Sequence, residues 1–185
     1  MGQDGVGSRA VSFGGAYEFG TDLPSSLIPT TASAKWVMLF EFNAPDQTVI
    51  AGHKEAVDRA CALVKERGAK RAVLLPVSAP FHCALMKPAA ERLREKLAAL
   101  DLQAPAIPVV NNIDVAVQSA PDAIRDALYR QAFGPVRWVE CVAALKARGA
   151  THIIECGPGK VLAGMVKRID GELNSAAIFD PASLA

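Results

Sequence analysis

No apolar run in the 185-residue chain approaches the length that spans a bilayer, and the start, Met1-Gly2-Gln3-Asp4-Gly5, lacks a basic segment followed by an apolar stretch. A membrane protein or an exported one is not expected. Charge of either sign is not in excess: 20 Lys and Arg stand against 19 Asp and Glu, for a net +1. Without a basic footprint there is no basis for wrapping nucleic acid or holding an anionic membrane. The four cysteines, Cys61, Cys83, Cys141 and Cys156, form no C-x-x-C pair, which argues against a zinc site or a redox dithiol and for reduced thiols in the cytoplasm. No internal repeat is present. What remains is a chain that is half apolar and long enough for one domain with a sizeable core, or for one large domain and a small satellite.

Residues 1–35 are rich in Gly, Ser and Thr and hold no sustained periodicity, so little order is expected there. From residue 37 the pattern changes. Residues 37–42 read as a strand, 43–46 as a turn and 48–51 as a second strand paired with the first. Residues 53–67 place Ala56, Val57, Ala60, Cys61 and Val64 on one helical face, with Gly68 at the helix end. A strand at 71–77, a helix at 86–100 and a buried strand at 107–110 follow. Ser119 is expected to cap a helix that carries Pro121 and Asp122 in its first turn. A helix at 136–148, a strand at 151–156 and a last helix at 160–169, burying Val161, Leu162, Met165, Val166 and Ile169, complete the pattern. Alternation of strands and helices indicates an α/β class with at least part of the sheet parallel.

Chemistry concentrates in residues 76–88, PVSAPFHCALMKP, where His82 stands between a strand and a helix. Proline-flanked loops hold an imidazole at fixed geometry, as proton transfer requires, though a loop histidine can equally serve only to satisfy backbone groups. Cys83 is a poor nucleophile for its neighbour to activate, because adjacent side chains seldom meet in useful geometry. Gly157-Pro158-Gly159-Lys160 follows a strand and opens a helix but departs from G-x-x-x-x-G-K-[ST], because Val161 stands after the lysine; the glycines then serve a tight turn. Lys65, Arg67, Lys70 and Arg71 form a basic cluster about a helix end. Ala10-Val11-Ser12-Phe13-Gly14 is a small-x-Ser-x-Gly run without a strand before it, which leaves a hydrolase built on Ser12 as an alternative.

Residues 76–88, together with 43–52 (NAPDQTVIAG) before them and 155–162 (ECGPGKVL) after, resemble three signatures of the malonyl-CoA:acyl-carrier-protein transacylases, in that family's order. The resemblance covers residues 42–185 and implies the C-terminal half of a member. It implies residues 36–80 as part of a small ferredoxin-like subdomain, and 81–185 as part of an α/β-hydrolase-like acyltransferase subdomain. His82 is then the general base and later the acid to a leaving thiol. Gln131 lends its backbone carbonyl to the other imidazole nitrogen, and Asn43 lies near the acyl pocket. Lys70 and Arg71 are implied to meet an acyl carrier protein. The substrate implied is malonyl-CoA, in fatty acid biosynthesis, with no metal or other cofactor. The family's nucleophile segment, G-H-S-x-G-E, is absent; Gly52-His53-Lys54-Glu55 has lysine where the serine belongs. So are the glutamine segment that supplies an oxyanion amide and the arginine that pairs with the malonyl carboxylate. A non-catalytic remnant binding CoA or carrier protein therefore stands beside the enzyme reading.

Overall fold

The computed structural model describes residues 8–14, 37–44, 47–66, 71–75 and 81–184, with the backbone alone described for 8–14 and 37–42. The chain begins with a four-stranded antiparallel sheet in the order β2-β3-β1-β4, formed by β1 (Ser8–Gly14), β2 (Val37–Ala44), β3 (Gln47–His53) and β4 (Arg71–Leu75). β2 and β3 pair as expected, with register shifts at Leu39/Glu41 and Phe42/Ala44. Strand β1 corrects the expectation of little order in residues 1–35. Its seven residues carry too short a pattern to announce a strand, and the hydrogen bonds come from outside, from β3 on one side and β4 on the other. The rest of residues 1–35 lies outside the described residues.

Helix α1 (Lys54–Glu66) covers this sheet through Ala56, Val57, Ala60 and Val64, positions spaced to fall on one face. Glu55 in its first turn and Lys65 in its last complement the helix dipole. Within the sheet, Val49 and Ala51 of β3 are fully buried with Leu75 of β4 against them.

The remainder is helical with short strands. A 3-10 turn, Ala84–Met86, leads into α2 (Lys87–Ala98), with Pro88 in the first turn, where the missing N–H costs nothing. The strand expected at 107–110 shrinks to β5 (Val110–Asn111), paired with β6 (Ala116–Val117), and it is not buried: Ile107 is 77% exposed and Val109 58%. Apolarity alone marks residues that want cover, not residues that have found it. Helix α3 (Pro121–Gln131) is capped at Ala120, not Ser119, and no side-chain cap bond forms; Pro121 and Asp122 do occupy the first turn. After α4 (Trp138–Ala147), Gly149 takes a φ of 92°, the left-handed conformation that ends a helix.

The C-terminal unit is β7 (His152–Cys156), α5 (Val161–Ile169) and β8 (Asn174–Ile178), in which β7 and β8 pair in parallel. The expected parallel element is here; β8 gave no sequence signal. Val142, Val166 and Leu173 form the core, with Trp138, Ile153 and Ile169 packed around them. Helix α5 buries Ala163 and Val166, whereas Val161 and Leu162, expected inside, are exposed at its first turn. The side chains of β7 alternate, and Ile154 lies 45% exposed on the face away from that core. Parallel strands are ordinarily covered on both faces. No helix among the described residues is long and apolar enough to cross a membrane.

With Ile107, Val109, Ile154 and Val161 all open to solvent, the chain is expected to self-associate as its concentration rises. Sedimentation velocity reads this directly. A monodisperse monomer with a sharp cooperative melt would contradict it.

Candidate active site

His82 stands at the start of the turn into α2, half-buried, and its backbone adopts φ 56°. This left-handed conformation costs a residue with a Cβ roughly 1–2 kcal/mol, although histidine tolerates it better than most. Such an outlier persists only where the surroundings hold it. Here its ring is held: His82 Nδ1 lies 2.9 Å from the backbone carbonyl oxygen of Gln131. Since a carbonyl only accepts, the bond requires a proton on Nδ1, and in the neutral ring Nε2 is then the nitrogen without hydrogen.

Gln131 is the last residue of α3, and the final carbonyls of a helix have no partner within it. His82 satisfies one of these. A neutral carbonyl thus takes over the orienting work that a carboxylate does elsewhere.

Helices α2 and α3 lie side by side and are tied along their length. Tyr129 Oη donates to Glu91 Oε1 at 2.6 Å, Lys87 Nζ sits 5.6 Å over the Phe133 ring, and Arg94 covers the Tyr129 ring. At the far end Arg125 donates to the carbonyls of Leu97 and Leu100, closing the C-terminus of α2. The proximity to Glu91 raises the Tyr129 hydroxyl pKa, chiefly through their hydrogen bond, so the phenol remains a donor. The pair of helices therefore acts as a bracket between His82 and Gln131.

The end of α3 is in turn fastened to the loop between β5 and β6. Arg130 donates from Nη1 and Nη2 to both carboxylate oxygens of Asp114, at 2.7 and 2.8 Å, and from Nε to Asp126 at 2.6 Å. Asn111 shapes the loop: its Oδ1 accepts the Asp114 N–H and its Nδ2 donates to the Ala116 carbonyl. Gly134 lets the two parts meet, because a Cβ there would stand 2.3 Å from Ile113 Cδ1 and 2.9 Å from the Arg130 carbonyl. Beside Gln131 opens a mostly apolar cavity of about 480 Å³, whose wall includes Val109, Leu128, Trp138 and Cys141.

Among the other residues singled out in the sequence, Asn43 is buried at the end of β2, and Arg71 is the exposed first residue of β4. Arg67 and Lys70 lie outside the described residues; Lys65 is exposed in the last turn of α1. Burial pushes the Cys83 thiol up, which disfavours the thiolate. Ser12 sits mid-strand in β1, paired on both sides, and so is not on the strand-to-helix turn that exposes a nucleophile. The 157–160 turn keeps its glycines for conformation, at φ 144° for Gly157 and 104° for Gly159. Its helix N-terminus is already occupied by the Glu155 carboxylate, which accepts the Ala163 N–H at 2.9 Å. Among the described residues, no group of three or more His, Cys, Asp or Glu is placed to hold a metal ion. Two contacts had no sequence signal. Gln47 accepts from Arg168 of α5, joining the small sheet to the C-terminal unit, and Arg130 pairs with Asp114.

No protein-family model matches the chain. It is 53% identical over 154 residues to the malonyl CoA-acyl carrier protein transacylase of Escherichia coli K12, a match covering 83% of the chain and 50% of the relative. The corresponding protein of Bacillus subtilis is 44% identical over 154 residues, covering 83% and 49%. The chain thus spans about half the length of the curated relatives it matches. Among solved structures, acyl-carrier-protein S-malonyltransferase of Burkholderia pseudomallei superposes with a TM-score of 0.86 at 55% identity, over 96% of the chain and 57% of that protein. A chain of the solved complex of a type II PKS acyl-carrier protein with its malonyl-transacylase superposes with a TM-score of 0.89 at 44% identity, over 96% of the present chain and 56% of that one.

The site's ion pairs carry an acid dependence. Hydrogen bonding to Arg130 holds the Asp114 carboxyl below its ordinary value, and Arg137 does the same for Glu140. A carboxylate lowered in the folded state adds stability above its unfolded value of about 4, and that stability is lost as pH falls through the folded value. The thermal midpoint is expected to drop below about pH 4, and more shallowly in Asp114→Asn than in the parent. Parallel acid profiles for the two would show that the pair does not contribute.

Proposed function

Because the chain belongs to the malonyl-CoA:acyl-carrier-protein transacylase family, whose members it matches over their C-terminal half, we propose that it supplies the histidine half of an acyltransferase. The enzyme moves malonyl from the CoA thiol to the phosphopantetheine thiol of an acyl carrier protein, in cytoplasmic fatty acid biosynthesis. The observation that carries this is the 2.9 Å bond between His82 Nδ1 and the Gln131 carbonyl. It presents Nε2 as a base and keeps the ring from rotating.

In this mechanism Nε2 takes the proton of a serine hydroxyl as the oxygen attacks the malonyl thioester carbonyl, and the imidazolium then protonates the departing CoA thiolate. The second half runs in reverse, with the carrier thiol as nucleophile. The 185 residues hold no G-H-S-x-G-E segment, so that serine has to come from polypeptide outside them. Chemistry by this chain alone stops at a positioned base.

The fold reading accompanies the functional one. Sheet order β4-β1-β3-β2, with α1 between β3 and β4, supports a ferredoxin-like unit for the first part. With β1 included, that unit has four strands, not the half expected from residues 36–80. Residues 81–185 are assigned to an α/β-hydrolase-like subdomain, supported by the parallel β7–α5–β8 crossover. Asn43 is assigned to the acyl pocket, and Lys70 and Arg71 to the carrier's docking surface.

Two experiments test the reading. Incubated with malonyl-CoA, the chain alone is expected to show no malonyl adduct by intact mass; an adduct would mean that a nucleophile has been overlooked. Joined to the first half of a relative, His82→Ala should lower transfer by on the order of 10²–10⁴ without shifting the melt, the worth of a general base. Gln131→Ala should cost far less, because the carbonyl survives truncation of the side chain. A nearly silent His82→Ala would leave the non-catalytic binding remnant as the better account.

A further inference from the structure

We propose that Arg130, through its bidentate pair with Asp114, is a positioning residue that sets the Gln131 carbonyl and thereby the tautomer of His82. The proposal rests on the reading of His82 as the base. It starts from a weakness of helix ends. Beyond Gln131, α3 closes only with two long bonds to the third residue back, Ala132 N–H to the Tyr129 carbonyl and Phe133 N–H to the Arg130 carbonyl, both at 3.3 Å. Helix termini held in this way fray, and a carbonyl in the last turn is free to tilt outward. The α-helix itself therefore does not fix the one carbonyl on which His82 depends.

Arg130, the adjacent residue, does have fixed partners. Its planar fork makes charge-assisted bonds to both oxygens of Asp114 and a third bond, from Nε, to Asp126 one turn earlier. A point charge would leave the side chain rotational freedom that the fork removes. Asp114 is itself immobilised, since its N–H is bound to Asn111 Oδ1 at 2.8 Å and the next residue, Val115, donates to the Asn111 carbonyl at 3.0 Å. Two further contacts hold the same junction: Ile113 against Gly134, and Arg137 N–H to the Asn112 carbonyl at 3.2 Å. The loop thus grips the helix end at Arg130 and Gly134, the residues around Gln131.

A surface ion pair taken for its stability alone is worth about 0–1 kcal/mol and would leave the imidazole unaffected. The distinguishing readout is the proton on the ring. With 15N-labelled histidine, 15N NMR of the chain, in solution or as a sedimented solid, reports Nδ1–H against Nε2–H for each of the three histidines, and a His82→Gln sample assigns the signal. The parent is expected to hold His82 as the Nδ1–H form. In Arg130→Met the share of that form should fall several-fold, and Arg130→Lys should fail to restore it. Asp114→Asn, nearly isosteric, guards against a variant that does not fold. Lys146→Met, which breaks the ion pairs to Asp170 and Glu172 in the C-terminal unit, should leave the His82 signal as it is. Folded Arg130 and Asp114 variants with the parent's tautomer ratio would overturn the positioning role and leave the base intact. A parent without the Nδ1–H form would overturn the base itself, and the positioning role with it.

Discussion

The hydrogen bond from the His82 ring to the Gln131 carbonyl is the constraint around which the second half of the chain is arranged. One partner belongs to a turn ahead of α2, the other to the last residue of α3, and neither element alone holds the distance between them. Tyr129 with Glu91, Lys87 with Phe133 and Arg125 with the end of α2 make the two helices one body. Because the acceptor is backbone, it survives truncation of its own side chain, and its position depends on what holds the helix end. That arrangement moves the burden of orientation from a carboxylate to the packing around a helix end.

The division of chemistry follows the division of the fold. The proposed base, His82, has its ring nitrogen tied to a carbonyl, and no G-H-S-x-G-E segment that would carry a serine for it occurs in the 185 residues. In the C-terminal unit one face of the β7–β8 pair rests on α4 and α5, while Ile154 looks outward from the other.

Much of this was legible in the residues. The helix at 53–67 and the strand at 151–156 were written in their periodicity, and the histidine in its proline-flanked loop. Other features were not. Ser8–Gly14 becomes a strand because β3 and β4 are there to receive it, a tertiary cause that a seven-residue pattern cannot carry. Ile107 and Val109 read as buried since apolar runs state a preference, and exposure depends on what is available to cover them. Ser119 has the right chemistry for a cap one residue too early. The Arg130–Asp114 pair spans a loop and a helix, and no local spacing announces it; likewise Gln47 gives no sign of its bond to Arg168.

The central position of β1 has a consequence for how the molecule assembles. Residue 10 faces residue 51 on one side and residue 75 on the other, whereas His152 meets Asn174 across a single helix. Contacts between near residues form early and those between distant ones wait, because the closure entropy of the long loop has to be overcome first. The crossover unit at the C-terminus is thus poised to fold locally, while the four-stranded sheet cannot close before β4 has been made. Strand β1 would be among the last of the described elements to take its place, and its backbone hydrogen bonds would remain with water until then.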